Sequence, residues 1–180
     1  MKSRGVILKR LGIAAAVFFS LWVVWFAYFR SVYPYGWTHV CDTQLAFALC
    51  DYAQAHDDAF PAGEATPEAC LALLYQCGVS AHLLSGKSID AEIAQEALTT
   101  TGTLGPDSCG WHYVPGLRLT DSPELALFWD KTGLGHNGGK LDAGGHIVYS
   151  IEGIRRYVPE SEWQTFLATQ KELRQNLKRD

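Results

Sequence analysis

The richest concentration of groups able to do chemistry lies in residues 133–146, GLGHNGGKLDAGGH, where six glycines surround His136, Asp142 and His146. Three potential metal ligands within eleven residues, with Asp130 just ahead of them, make a candidate cation site. Calcium would draw on the oxygens of Asp130, Asn137, Asp142 and loop carbonyls, whereas two imidazoles favour a transition metal. The plainer reading, which we prefer, is a turn whose glycines take positive φ and whose histidines hydrogen-bond the backbone.

Five cysteines, Cys41, Cys50, Cys70, Cys77 and Cys109, are the next candidates, as disulfide partners. If Cys41 and Cys50 share a helix they stand about 13 Å apart, and Cys70 and Cys77 about 10 Å, both beyond the roughly 7 Å that a disulfide spans. A bridge must therefore join different segments, and the odd count leaves one thiol over. No C-x2-4-C pair offers a zinc site.

Ser85-Gly86-Lys87-Ser88 resembles the end of a phosphate-binding loop, but Ala81 stands where the earlier glycine is required and no strand precedes it, so that reading is rejected. His112 near Cys109 and His56 beside Asp57 are the nearest approach to a nucleophile and base. Without a G-x-S-x-G, H-E-x-x-H or comparable motif, no catalytic residue is assigned and no enzyme is expected.

The elements that would position these groups follow from periodicity. Over residues 38–57, Cys41, Leu45, Ala48, Leu49 and Tyr52 recur at helical spacing with one apolar face. Thr66 reads as an N-cap, Pro67 as the first helical residue and Glu68 as first-turn acid of a second helix that Gly78 stops. Residues 89–98, introduced by Ser88, predict a third. Beyond Gly102, short aromatic and β-branched runs predict strands at residues 110–114, 126–129, 146–151 and 154–158, the last two joined across Glu152-Gly153 as a hairpin. Ser161 then caps a helix to about Leu177, with Trp163, Phe166, Leu167 and Leu173 on one stripe.

Ahead of all this, residues 11–29, LGIAAAVFFSLWVVWFAYF, hold no charge, and at 1.5 Å per residue they reach roughly the 30 Å of a bilayer core. Trp22, Trp25 and Tyr28, followed by Tyr33, Tyr35 and Trp37, crowd the end where aromatic rings prefer the headgroup level. Lys2, Arg4, Lys9 and Arg10 precede the segment and only Arg30 closely follows it, so the N-terminus is expected in the cytoplasm and the remainder outside it. A cleaved signal peptide would be shorter and would end in a small-residue site, which residues 26–32, FAYFRSV, lack. The expected organisation is a basic tail (1–10), a transmembrane helix (11–29), a hinge containing Pro34 and Gly36 (30–37) and one extracytoplasmic domain (38–180).

Charge divides at the same place. Residues 1–30 carry five basic and no acidic side chains, leaving ten basic against nineteen acidic beyond, a balance of −9. An exported part of that sign repels phosphate backbones, so no nucleic-acid partner is expected.

An N-terminal membrane helix, an amphipathic helix and a late antiparallel sheet together resemble the pilin and type II secretion pseudopilin-like plan. The run Gln44-Leu45-Ala46-Phe47-Ala48-Leu49, Tyr52-Ala53 and Phe60-Pro61 is similar to the family's Q-L-x-x-A-L-x-x-Y and F-P pattern. Trp129-Asp130, His136-Asn137-Gly138-Gly139, Ile147-Val148-Tyr149 and Glu152-Gly153 resemble its late W/D, H-N-G-G, strand and D-G-H-V motif. Gly12 is followed by Ile13-Ala14-Ala15-Ala16-Val17, not by the F-T-L-x-E of a prepilin leader. The resemblance therefore implies an α+β, pilin-like fold kept as a fixed, single-pass surface protein. Its expected partners are the lipid bilayer and other envelope or pilin-like proteins. The alternative is a membrane-anchored metal-dependent enzyme or ligand-binding domain using the 133–146 loop.

Overall fold

The computed structural model describes residues 2–34, 41–135, 137–141 and 143–177. Its first element, α1 (Lys2–Val32), is one continuous helix, so the expected basic tail and the first part of the hinge are helical too. Within it Arg10–Val32 is long and apolar enough to cross a membrane; residues 10–28 are exposed and only its last turn, at Phe29 and Val32, is half-buried. The helix outlasts residue 29 because the rings of Phe29 and Tyr33, four apart, pack at 4.9 Å in a tilted contact while the Tyr33 amide donates to the Phe29 carbonyl at 2.8 Å. Pro34, unable to donate, follows the last such bond.

Four helices form one layer of the domain. α2 (Cys41–Ala55) buries Cys41, Leu45, Ala46, Leu49 and Ala53, close to the expected stripe, with Ala48 and Tyr52 at its margin. Residues 38–40 of the expected helix lie outside the described residues. α3 (Pro67–Gln76) starts as its sequence dictates, with Thr66 Oγ1 accepting from the Ala69 amide at 3.1 Å. It closes at Gly78, whose φ of 88° a side chain would disfavour. α4 (Ala81–Ser85), capped by Ser80, was not expected: five residues are too few to show a period. α5 (Ala91–Thr101) begins later than expected, because Asp90 rather than Ser88 caps it, accepting from the Glu92 amide.

The other layer is a four-stranded antiparallel sheet in the order β1 (Trp111–Tyr113), β2 (Ala126–Asp130), β3 (His146–Ser150), β4 (Arg155–Val158). All four expected strands are present, and the β3–β4 hairpin turns at Gly153 with φ 73°. Trp111, Phe128 and Tyr149 line the face toward the helices, with ring contacts at 5.5 and 5.0 Å, and the Tyr149 hydroxyl reaches Thr43 Oγ1 on α2 at 2.8 Å.

The opposite face is covered by α6 (Glu160–Gln175), which explains why β2 is buried along its whole length. Pro159, not Ser161, occupies the N-cap. Trp163 is buried as the stripe predicts, but the second anchor is polar. Gln170 accepts from the Ala126 amide at 2.8 Å and donates to the Glu124 carbonyl at 3.0 Å, pinning α6 to the start of β2.

Candidate functional site

The glycine-rich loop connects the end of β2 to the start of β3. Gly133, Gly144 and Gly145 have φ between 66° and 83°, and a side chain on Gly145 would run into the Val158 carbonyl and the Glu160 amide. Between them the chain folds on itself, with the Gly135 amide donating to the Gly139 carbonyl at 2.8 Å. Asn137 Oδ1 accepts from the Gly139 amide at 3.1 Å, so the oxygen considered for calcium is engaged in holding the turn. The Gly139 backbone packs against the end of α1, where an added Cβ would lie 2.7 Å from the Val32 carbonyl oxygen.

Of the four candidate metal ligands, His136 and Asp142 lie outside the described residues. The other two occupy opposite faces of the sheet. Asp130 stands opposite Trp111 in the β1–β2 register, so its carboxylate shares the face that packs on the helices, where it is 1% exposed. Its Oδ1 accepts from the Thr132 amide at 2.9 Å, while Oδ2 has no hydrogen-bond partner among the described residues. His146 lies instead on the α6 side, stacked on Trp163 at 4.0 Å. Its Nδ1 is 2.9 Å from the Asp130 carbonyl and must donate to it, since a carbonyl only accepts. The two residues are thus joined through backbone while their side chains diverge. Among the described residues, no three His, Cys, Asp or Glu side chains gather as a metal set.

The cysteines do not pair: all five are free thiols, and none is within disulfide distance of another. This corrects the expectation of a bridge between segments. The sulfurs are directed to separate places, Cys50 toward the Ile151 carbonyl (4.0 Å), Cys70 toward Glu64 (3.8 Å) and Cys109 toward Trp111 (3.7 Å). Burial pushes Cys41 up to about 11, with Asp42 and Asp130 adding to the rise and Lys87 opposing it. Burial likewise raises Cys109 to about 11. Both therefore stay protonated, the unreactive form, near neutrality.

Lys87, from the rejected phosphate-loop tetrapeptide, is used by the core. Its ammonium lies 3.1 Å from Asp42 Oδ2, with both side chains 1% exposed, and 3.4 Å from the Leu134 carbonyl. It also sits 5.4 Å from the centroid of the Trp111 ring. Gly86 and Gly110 allow this by close backbone approach, the Gly110 amide donating to the Ser85 carbonyl at 2.7 Å. Sequence reasoning missed this pair. Asp42 falls on the buried stripe of α2 at the spacing of Leu45, Ala46 and Leu49, which was the available signal, but nothing local names a partner 45 residues away.

Comparison with protein-family models, curated proteins and solved structures finds no match to this chain.

Proposed function

We propose that this is a single-pass, membrane-anchored, pilin-like protein of the cell envelope. Its domain works outside the cytoplasm by contact with other envelope proteins rather than by catalysis. The observation that carries the reading is the exposure of α1. Every residue from 10 to 28 is exposed, including Phe18 at 73% and Trp25 at 59%, a contiguous apolar surface that a soluble monomer would hide. In lipid the same surface is matched to its solvent, and the helix satisfies its own backbone.

Several features support the finer parts. The excess of basic residues in the first turns of α1, ahead of its apolar stretch, favours a cytoplasmic N-terminus. The order of anchor helix, amphipathic helix and late antiparallel sheet agrees with the pilin-like plan. The protonated state of Cys41 and Cys109 and the divergence of Asp130 from His146 speak for structural rather than catalytic roles.

Alkaline carbonate extraction of membranes carrying the full chain tests the reading, with a protease-accessibility assay on a C-terminal tag. The chain is expected to stay with the lipid, and the tag to be cut from the extracytoplasmic side. Release into the carbonate supernatant, or a mature N-terminus near residue 32, overturns it.

A further inference from the structure

Two clefts flank α6 on the outer face of the sheet. The cleft of about 560 Å³ over β3 and β4 mixes apolar groups with Arg156, Glu124 and Glu162. The cleft of about 590 Å³ over β1 and β2 is different, because every charged or titratable group lining it is basic. His112 comes from β1, Lys131 from just beyond β2, His146 from β3, and Lys171 and Arg174 from α6. In a domain of net charge −9 this convergence from four separate segments is not explained by composition. The preference of basic residues for a helix C-terminus accounts at most for Lys171 and Arg174.

The donors are largely uncommitted. Lys171 has no acceptor among the described residues, and Arg174 uses only Nε, on the Gln170 carbonyl at 3.1 Å, leaving its terminal nitrogens. His146 keeps Nε2 after giving Nδ1 to Asp130, and the His112 ring has no hydrogen-bond partner among the described residues. Only Lys131 is neutralised, by Glu68 at 2.7 Å outside the cleft. The basic groups are close enough to sense one another: burial and then Lys131, Arg174 and His146 lower the pKa of His112, against Glu68.

The aromatic floor restricts the shape of a ligand. The His112 ring already stacks on Trp129 at 4.1 Å and the His146 ring on Trp163, so no open indole face is offered to a flat ring. What is presented is a rim of N–H donors around a compact volume, the arrangement suited to a phosphoryl group and its several oxygens.

We propose that the cleft between α6 and the β1–β2 half of the sheet binds a phosphate group through Arg174, Lys171, His112 and His146. A phospholipid headgroup and a soluble phosphate present the same chemistry. The lipid source rests on the anchoring reading above and draws on one contact: the loop that ends at His146 also abuts Val32 at the end of α1.

Calorimetric titration of the full chain in non-ionic detergent with inorganic phosphate tests the site without depending on membrane insertion. We expect saturable binding that weakens about tenfold in Arg174→Gln, and similarly in Lys171→Gln, for loss of a charge-assisted contact. Arg156→Gln, the same charge change in the other cleft, is expected to leave it unchanged. Absence of saturable binding, or equal weakening by Arg156→Gln, overturns the site. The source is then read in phosphatidylcholine nanodiscs with and without phosphatidylglycerol. Suppressed phosphate binding only with phosphatidylglycerol supports the headgroup, whereas equal binding in both overturns the lipid source and leaves soluble phosphate as the ligand.

Discussion

Lys87 and Asp42 form an ion pair at 3.1 Å between the loop after α4 and the first turn of α2, each side chain 1% exposed. Removing two charges from water is costly, and the pair survives because the ammonium also reaches the Leu134 carbonyl and the Trp111 ring while Asp42 Oδ1 accepts from the Thr43 amide at 2.9 Å. Asp42→Ala leaves the cation buried and is expected to destabilise by about 3–5 kcal/mol, whereas Asp42→Leu combined with Lys87→Met should recover most of that. Urea melts of the two variants make the comparison, and additive losses would show that the pairing is not what Lys87 needs.

Gln170 is expected to matter more than its polar character indicates. Gln170→Ala orphans both the Ala126 amide and the Glu124 carbonyl at the start of β2, a loss of about 1–3 kcal/mol. Hydrogen exchange should show the Ala126 amide and the second half of α6 opening faster, with α2 and α3 unaffected.

The thiols should divide by burial. At pH 8, Cys41 and Cys109, raised to about 11 and hidden, are expected to resist iodoacetamide, while exposed Cys77 reacts at once. Mass spectrometry after brief alkylation reads this directly, and in urea all five should react. Rapid modification of Cys109 in the folded chain would contradict its placement.

Acid should weaken the fold in two steps. The pKa of His112 is below its ordinary 6.5 because burial, then Lys131, disfavour the imidazolium. The unfolded chain therefore binds this proton first, and stability falls as pH drops from 6.5 toward the folded value. His112→Gln should flatten that part of the pH–stability curve. Glu68 is raised by burial, but the Lys131 hydrogen bond, its own backbone amide and the Lys131 charge together outweigh that and lower its pKa from 4.5, so its contribution is present above 4.5 and lost below.

The architecture was legible where it is local. The Thr66-Pro67-Glu68 start, the α2 stripe and the Glu152-Gly153 hairpin each depend on neighbours within a turn or two, and each stands where expected. Legibility ended where the partner is remote. Asp42 finds Lys87, Gln170 finds the edge of β2, and His112 meets Arg174 only after α6 has folded across the sheet. The cysteine spacing excluded pairs within a helix, but no spacing can tell whether sulfurs on different elements will face each other. The loop motif named Asp130 and His146 as neighbours in sequence space, yet strand alternation sent their side chains to opposite sides.

The seat of Gly139 on the last turn of α1 has a mechanical corollary. A chain emerging from a bilayer on a slack tether would let its globular head swivel freely. Here the Gly139 main chain lies against the Val32 carbonyl at the last turn of that helix, so close that no side chain would fit at position 139. On the anchoring proposed above, tilting α1 in a bilayer would press on the β2–β3 connection and, through His146, on the basic cleft, so the thickness or curvature of that bilayer would be a force felt there.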